Sequence, residues 1–352
     1  MKLPPGKIPV DILKEVVFKN LGVKREEVAI GPTAGVDGAV IDIGDKSLVV
    51  SMDPITGANE RIGWLAVNVN SNDIATFGVE PAFLFSSILV PENSDKKVVE
   101  TICQQMDMAA KELGIAIVGG HCESTPGLTY PIVAGCTLGL TKKGCYVTAA
   151  GAKPGDRLIL TKSAGIEGTA ILSSDREQQL VPIMSSAMLA DAKSFYKSIS
   201  VVKDALTAYK TGGVHAMHDP TEGGIAGGIH EMADAAQLGV KVFEYKIAVK
   251  PETAKICNFF KIDPFQLIGS GALLIAAKEE KTAEIIENLK EEKIPAAEIG
   301  VFQKENNSRL LLKSDNSYRN LPRPLSDHLW SALKKTATQT STGIESEDFH
   351  SP

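Results

Sequence analysis

Four groups of residues in this chain have types and spacings that could do chemistry. The first is Ser51-Met52-Asp53-Pro54-Ile55-Thr56-Gly57, where an acid follows closely on the apolar run Leu48-Val49-Val50. Sites in α/β proteins collect at the carboxyl ends of strands, so Asp53 is a candidate, although Asp before Pro also starts many turns. The second is Asn68–Asp73 (NVNSND), inside an otherwise apolar stretch. Asn68 and Asn72 are four apart on the expected helix and share a face with Asp73 beside it. Such groups are costly to bury unless paired or bound, and an oxygen-rich set suits Mg²⁺, which takes one or two carboxylates plus substrate phosphates. A helix-end polar patch in solvent is the plainer alternative.

The third group is Val118-Gly119-Gly120-His121-Cys122-Glu123. A Gly pair lets a phosphate approach the backbone, and His121 and Glu123 offer metal ligation or proton transfer. Nothing beside Cys122 points to a lowered thiol pKa, so it is not read as a nucleophile. The fourth runs from His215 to Gly228 and contains His218-Asp219-Pro220-Thr221-Glu222-Gly223-Gly224. Asp219 resembles a helix N-cap, Pro220 the first helical residue, and Glu222 the returning carboxylate of a capping box. Glycines early in a helix cost about 1 kcal/mol each relative to Ala, a cost that makes sense where the helix start must meet an anion. Tight packing on a sheet explains Gly227 and Gly228 equally well. His218 reads as a hydrogen-bonded structural His ahead of a ligand or base. A similar Gly269-Ser270-Gly271 precedes an apolar strand. The chain has no GxxxxGK[ST], no GxGxxG after a strand and no GxSxG.

The elements that must position these groups follow from periodicity. An amphipathic stretch over residues 12–30 ends at Gly31-Pro32, and strands at 38–43 and 47–51 flank a Gly44-Asp45 hairpin signal. Helices are expected over Ile62–Thr76, stopped by Gly78 and Pro81, and over Lys96–Leu113, stopped by Gly114. Ala82–Leu89, a short buried strand at residues 115–118, and Tyr130–Leu140 complete the first half. Turn-rich Thr148–Asp156 divides the chain into residues 1–150 and 151–335. Beyond it come a strand at Arg157–Thr161, helical stretches over 167–210, a helix to Ala236, strands at 240–243 and 272–277, and a helix at Lys281–Glu291. The polar, acidic residues 336–352 are expected to be disordered. No internal repeat is present.

With 352 residues the chain is too long for one core, and 43% hydrophobic with 23% charged residues is an ordinary globular mix. Its net charge of −6 and 5% aromatic content argue against nucleic-acid and anionic-membrane partners. No long uncharged apolar run and no signal-peptide h-region is present, and five irregularly spaced Cys form no disulfide framework and no zinc motif, so a reducing cytoplasm is expected.

In this order, Asp53 at a strand end, Asn72-Asp73…Gly78…Pro81, Val118-Gly119-Gly120-His121, Lys153-Pro154-Gly155-Asp156 and Asp219-Pro220-Thr221-Glu222-Gly223-Gly224 resemble the aminoimidazole-ribonucleotide (AIR) synthetase superfamily over roughly residues 10–325. That superfamily includes AIR synthetase, the hydrogenase maturation protein HypE, thiamine-monophosphate kinase and selenophosphate synthetase. The resemblance implies an α+β, PurM-like two-domain fold. Its N-terminal α/β domain would form a β-barrel across a homodimer, and its C-terminal domain would be an α/β sandwich. ATP would lie between the domains with Mg²⁺ on Asp53, Asp73 and Asp219. Asp37, Asn72, Gly119, Gly120, Thr221, Gly223 and Gly224 would contact the nucleotide, and His121, Glu123 and Asp219 would be catalytic. His121 stands where relatives often carry Asp or Glu, so Glu123 would supply the missing carboxylate.

The implied activity is ATP- and Mg²⁺-dependent phosphorylation or dehydration of an amide-like or small-molecule acceptor. The alternatives are a HypE-type maturation factor acting on a protein-borne carbamoyl group, and a nucleotide-binding regulator without turnover. The chain resembles HypE best over 62–120. The C-terminal carrier Cys of HypE has no counterpart here, because the last Cys is Cys257. The tail is therefore expected to be dispensable for ATP binding.

Overall fold

The structure, a computed structural model, describes Leu3, Gly6, residues 8–56 and residues 60–334. The expectations for Gly57 and for residues 336–352 lie outside the described residues.

Six strands make the first sheet: β1 (Val28–Ile30), β2 (Ala39–Ile43), β3 (Lys46–Ile55), β4 (Pro81–Pro91), β5 (Ala116–Thr125) and β6 (Ile132–Lys142), in the order β1-β2-β3-β6-β4-β5. Every pairing is antiparallel except β4 with β5. Helices Ile62–Thr76 and Lys96–Leu113 keep their expected bounds. The second is capped by Asp95, whose side chain accepts from the Lys97 N–H, and stopped by Gly114 in the left-handed region. The 62–76 helix packs on β3 and β6 and is buried nearly all the way round. Its polar residues therefore do not form a solvent patch.

Two expectations give way here. The amphipathic stretch at 12–30 forms only helical turns at residues 10–17 and then β1; Val16 and Val17 stay exposed, so no packing supports a longer helix. The short buried strand at 115–118 is a ten-residue exposed edge strand, β5, that runs through the Gly pair to Thr125. Gly120 fits because its backbone lies against β4: a Cβ there would come 1.9 Å from the Ser86 carbonyl oxygen. The close approach that Gly120 permits is to a neighbouring strand.

The sheet is open within one chain. Its face away from the helices carries Met52, Phe83, Phe85 and Leu140 exposed, and Ile117 and Val118 on β5 are exposed as well.

The second sheet holds β7 (Arg157–Thr161), β8 (Val214–His218), β9 (Gly239–Phe243), β10 (Leu274–Ala277), β11 (Ala296–Gln303), β12 (Arg309–Leu312) and β13 (Tyr318–Asn320), ordered β13-β12-β9-β11-β7-β10-β8. Only β12 and β9 pair in parallel. The central strands β7 and β10 are buried on both faces, which is why they read as unbroken apolar runs. One face packs with helices 202–211 and 279–291, the other with helices 166–175 and 224–235.

Candidate active site

A cavity of about 670 Å³ opens between the two sheets' domains. Asp37, Asp53, Asp73 and Tyr130 line it from the first, and Glu167, Thr221, Glu222, Ser270 and Trp330 from the second. Among the described lining residues there is no Lys and no Arg.

The 62–76 helix brings Asp73 to this cavity while its other polar groups find main-chain partners. Asn68 donates to Trp64 O, Ser71 to Val67 O and Thr76 to Asp73 O. Asn70 clamps the Asp53 backbone, accepting from its N–H at 2.8 Å and donating to its carbonyl at 3.1 Å. Asn72 donates to Ile199 O at 2.9 Å and accepts from Val201 N–H at 2.8 Å. Both ends of the Asn72 amide thus staple the helix to the second domain, and the amide is not presented to the cavity as a nucleotide contact. Asn72→Ala is expected to lower unfolding stability by about 2–4 kcal/mol, because a buried N–H and C=O lose their partner together. An unchanged midpoint in urea denaturation would remove the staple.

Asp73 is the exception in its helix. Ser51 Oγ lies 2.6 Å from both Asp73 Oδ2 and the Asp37 carbonyl. The Ser51 hydroxyl is the donor toward both acceptors, a three-centre contact that ties Asp73 to the Asp37 main chain. Burial, then repulsion from Asp219, Asp53 and Asp37, push Asp73 well above the ordinary carboxylate range, against the hydrogen bond from Ser51.

Asp219 follows β8 directly. It caps no helix: the helix begins at Gly224 with Gly223 at its N-cap, and neither Asp219 oxygen has a hydrogen-bond partner although the residue is only 1% exposed. Burial first and Asp37 second drive its pKa well up, with His218 opposing. His218 sits between carboxylates, Nδ1 2.6 Å from Asp37 Oδ2 and Nε2 2.8 Å from Glu231 Oε2. Burial alone would lower its pKa, but the two acids hold it well above the ordinary range, so both nitrogens carry protons and donate. Asp37, His218 and Asp219 bring potential ligand atoms within 4.8 Å of one another. A doubly protonated imidazole has no lone pair to offer, so the carboxylates are the metal-binding part of that group.

Other sequence candidates fall elsewhere. His121 and Glu123 lie on exposed β5, 3.0 Å apart from Nε2 to Oε2, and are not among the lining residues of their own chain; neither are Gly119 and Gly120. Thr221 lines the cavity, but the helix start beside it holds an anion of its own: the Gly223 N–H donates to Asp327 Oδ2 at 2.6 Å. Burial pushes Asp327 up to about 7 in spite of the N–H groups of Leu329, Gly223 and Ile268. Gly224 is required by packing, since its φ is +59° and a Cβ would meet Leu267 O at 2.5 Å. The Gly223 N–H of this helix start is thus already taken by a carboxylate of the chain itself.

Residues 35–141 match the family model for the AIR synthase related protein N-terminal domain, and residues 153–313 that for its C-terminal domain. The chain belongs to the AIR synthase related family. A hydrogenase expression/formation protein of Methanocaldococcus jannaschii is 29% identical, the match covering 81% of this chain and 84% of that one. The carbamoyl dehydratase HypE of Rhizobium leguminosarum bv. viciae is 27% identical over 70% of each chain. A crystal structure of the hydrogenase maturation protein HypE in complex with ATP superposes with a TM-score of 0.69 at 21% identity, covering 94% of this chain and 98% of that one. Among the described residues no helix is long and apolar enough to cross a membrane.

For this AIR synthase related chain, sequence reasoning missed Glu167, Trp330 and Asp327. Glu167 stands in the first turn of a helix, where an acid ordinarily reads as complementing the helix dipole. Its place in the cavity wall comes only from the meeting of two domains. Glu167 is 5% exposed, and burial raises it to about 7, with Asp327 and Glu222 adding to the shift and the nearby Ser270 hydroxyl opposing it.

Proposed function

We propose that this chain is an ATP- and Mg²⁺-dependent enzyme of the HypE type that phosphorylates or dehydrates an amide-like or small-molecule acceptor. The observation that carries the reading is Asp219, a buried carboxylate with neither oxygen partnered, which interacts electrostatically with Asp37, Asp53 and Asp73, the three acids that line the cavity beside it. So many acids together, with no Lys or Arg in the described lining and only the His218 imidazolium behind Asp37 to offset them, fit a divalent ion and then the phosphates that ion attracts. Asp53, Asp73 and Asp219, with Asp37, would hold Mg²⁺, and the ion would neutralise charge on a transferring phosphoryl group. The solved HypE–ATP complex and the carbamoyl dehydratase relatives support the same reading.

A carrier on the chain's own thiol is disfavoured. No Cys lines the cavity among the described residues, and Cys257 is buried with its thiol pushed up to about 12. Calorimetry with a non-hydrolysable ATP analogue is expected to register binding with Mg²⁺ and little without it. No binding in the presence of Mg²⁺ would remove the enzyme reading.

The same reading includes a homodimer built on the first sheet. An open sheet with a ten-residue exposed edge strand and Phe83, Phe85 and Met52 in solvent is a pairing surface. In such a dimer β5 is the route by which His121 and Glu123 would serve a cleft of the partner subunit. Light scattering at micromolar protein is expected to give twice the 37.4 kDa of one chain, and Phe85→Glu to shift it toward one. A wild-type mass near 37.4 kDa would contradict the dimer.

A further inference from the structure

A second, smaller cavity of about 280 Å³ opens in the C-terminal half of the chain and shares no lining residue with the first. His230 and Asp234, in the second half of the 224–235 helix, line it together with Arg309 of β12 and Arg323, which follows β13. The first cavity has acids and no arginine in its described lining; here two guanidiniums meet one carboxylate. Asp234 Oδ1 accepts from Arg309 Nη2 at 2.7 Å, and Oδ2 from Arg323 Nη2 at 2.6 Å. One positive charge is left over, in a chain whose net charge is −6.

The fold uses part of this set. Arg309 Nη1 donates to the carbonyls of Leu238, Asn306 and Ser308, which ties β12 to the turn after the helix. That leaves Arg309 Nε buried without a partner, and His230 Nδ1 is in the same state. His230 is 5% exposed, and its other nitrogen, Nε2, donates to the Leu321 carbonyl at 3.2 Å. Burial first, then Arg323, lower its pKa, so the ring is neutral at about pH 7.5 and Nδ1 is a lone pair with nothing to accept. Each buried polar group left unmade costs about 1–3 kcal/mol. A ligand that answers this cavity brings negative charge for the guanidinium N–H groups and, on the same small head, a donor for Nδ1.

Size and protonation choose among the anions. The cavity is smaller than the roughly 300–1,000 Å³ of sites that hold drug-sized ligands. At about pH 7.5 sulfate and carboxylates carry no proton, and a phosphate monoester has lost its second, whose pKa is about 6. Hydrogen phosphate keeps a P–OH beside its charged oxygens. We propose that His230, Arg309 and Arg323 form a binding site for free hydrogen phosphate, separate from the cavity between the domains. In that complex the charged oxygens accept from Arg323 and from the Arg309 Nε–H, and the P–OH donates to His230 Nδ1. The site needs neither metal nor nucleotide, so it stands apart from the ATP-dependent reading.

Isothermal titration calorimetry tests it, on the full chain in EDTA without nucleotide at about pH 7.5, with sodium phosphate, sodium sulfate and phenyl phosphate as probes. Phosphate is expected to bind the wild-type chain at least tenfold more tightly than either of the others. Arg323→Gln is expected to weaken phosphate binding at least fivefold. His230→Phe is expected to bring phosphate down to the level of sulfate, which separates the lost hydrogen bond from a lost charge. The Arg323 side chain is 58% exposed, so Arg323→Gln and the wild-type preference carry the test if His230→Phe does not fold. Absence of phosphate binding, sulfate or phenyl phosphate bound as tightly as phosphate, or undiminished phosphate binding by either folded variant would overturn the site.

Discussion

Asp219→Asn is expected to weaken Mg²⁺-dependent nucleotide binding at least 100-fold while making the metal-free chain more stable, by on the order of 1 kcal/mol at pH 8. The two effects have one cause. In the metal-free fold the Asp219 carboxyl is buried, unpartnered and repelled by Asp37 and Asp53, so its charged form costs stability. With a divalent ion bound, the same charge becomes a ligand. A hundredfold loss of affinity corresponds to about 2.7 kcal/mol, and a ligand present at 100 times its Kd stabilises the fold by a similar amount. Thermal melts with and without Mg²⁺ and the ATP analogue should therefore cross: the variant melts higher without ligand, the wild type higher with it. If the ligand raises the melting temperature of Asp219→Asn as much as that of the wild type, Asp219 does not hold the metal.

The second large effect is a pH dependence of stability that Glu167→Gln should flatten. Burial raises the folded-state pKa of Glu167 from 4.5 to about 7, so between these values the folded chain keeps a proton that the unfolded chain releases. For an acid shifted upward the sign is unfavourable with rising pH: stability is highest below about pH 4.5, falls through pH 7, and then levels. The full shift is worth about 3 kcal/mol at 1.36 kcal/mol per pKa unit. Asp327, raised to about 7 by the same burial, contributes in the same direction and remains in the variant. Urea denaturation in EDTA at pH 5, 6, 7 and 8 should give a wild-type slope markedly steeper than that of Glu167→Gln. Superimposable slopes would mean that Glu167 is not a buried, protonated acid in the metal-free chain.

Both effects lie on groups that the sequence indicated unequally. Asp53, Asp73 and Asp219 stood out as acids beside strand ends or inside an apolar helix; the folded chain places Asp37, Asp53 and Asp73 on one cavity, with buried Asp219 in electrostatic reach of all three. The Asp73 helix was legible to the residue because its stop signals, Gly78 and Pro81, are local chemistry. The same locality misled at Asp219, where an acid before Pro and four residues short of a Gly pair has the form of a cap, while the helix starts at Gly224.

Local pattern thus determined the elements with strong punctuation, the mixed α and β content of both halves, and the acids able to bind a metal. Tertiary structure decided which polar residues face a cavity and which are consumed by the fold. Asn72 looked like a ligand and is a staple, because its two partners, Ile199 and Val201, are more than 120 residues away in the chain. Gly223 looked like part of a phosphate cradle, but its N–H goes to Asp327, 104 residues on. Glu167 looked like an ordinary first-turn acid and is walled into the cavity by residues of both domains. The physical reason is common to all three: hydrogen-bond satisfaction and burial are set by groups brought together across the whole chain, and neither leaves a trace in the spacing of neighbouring residues.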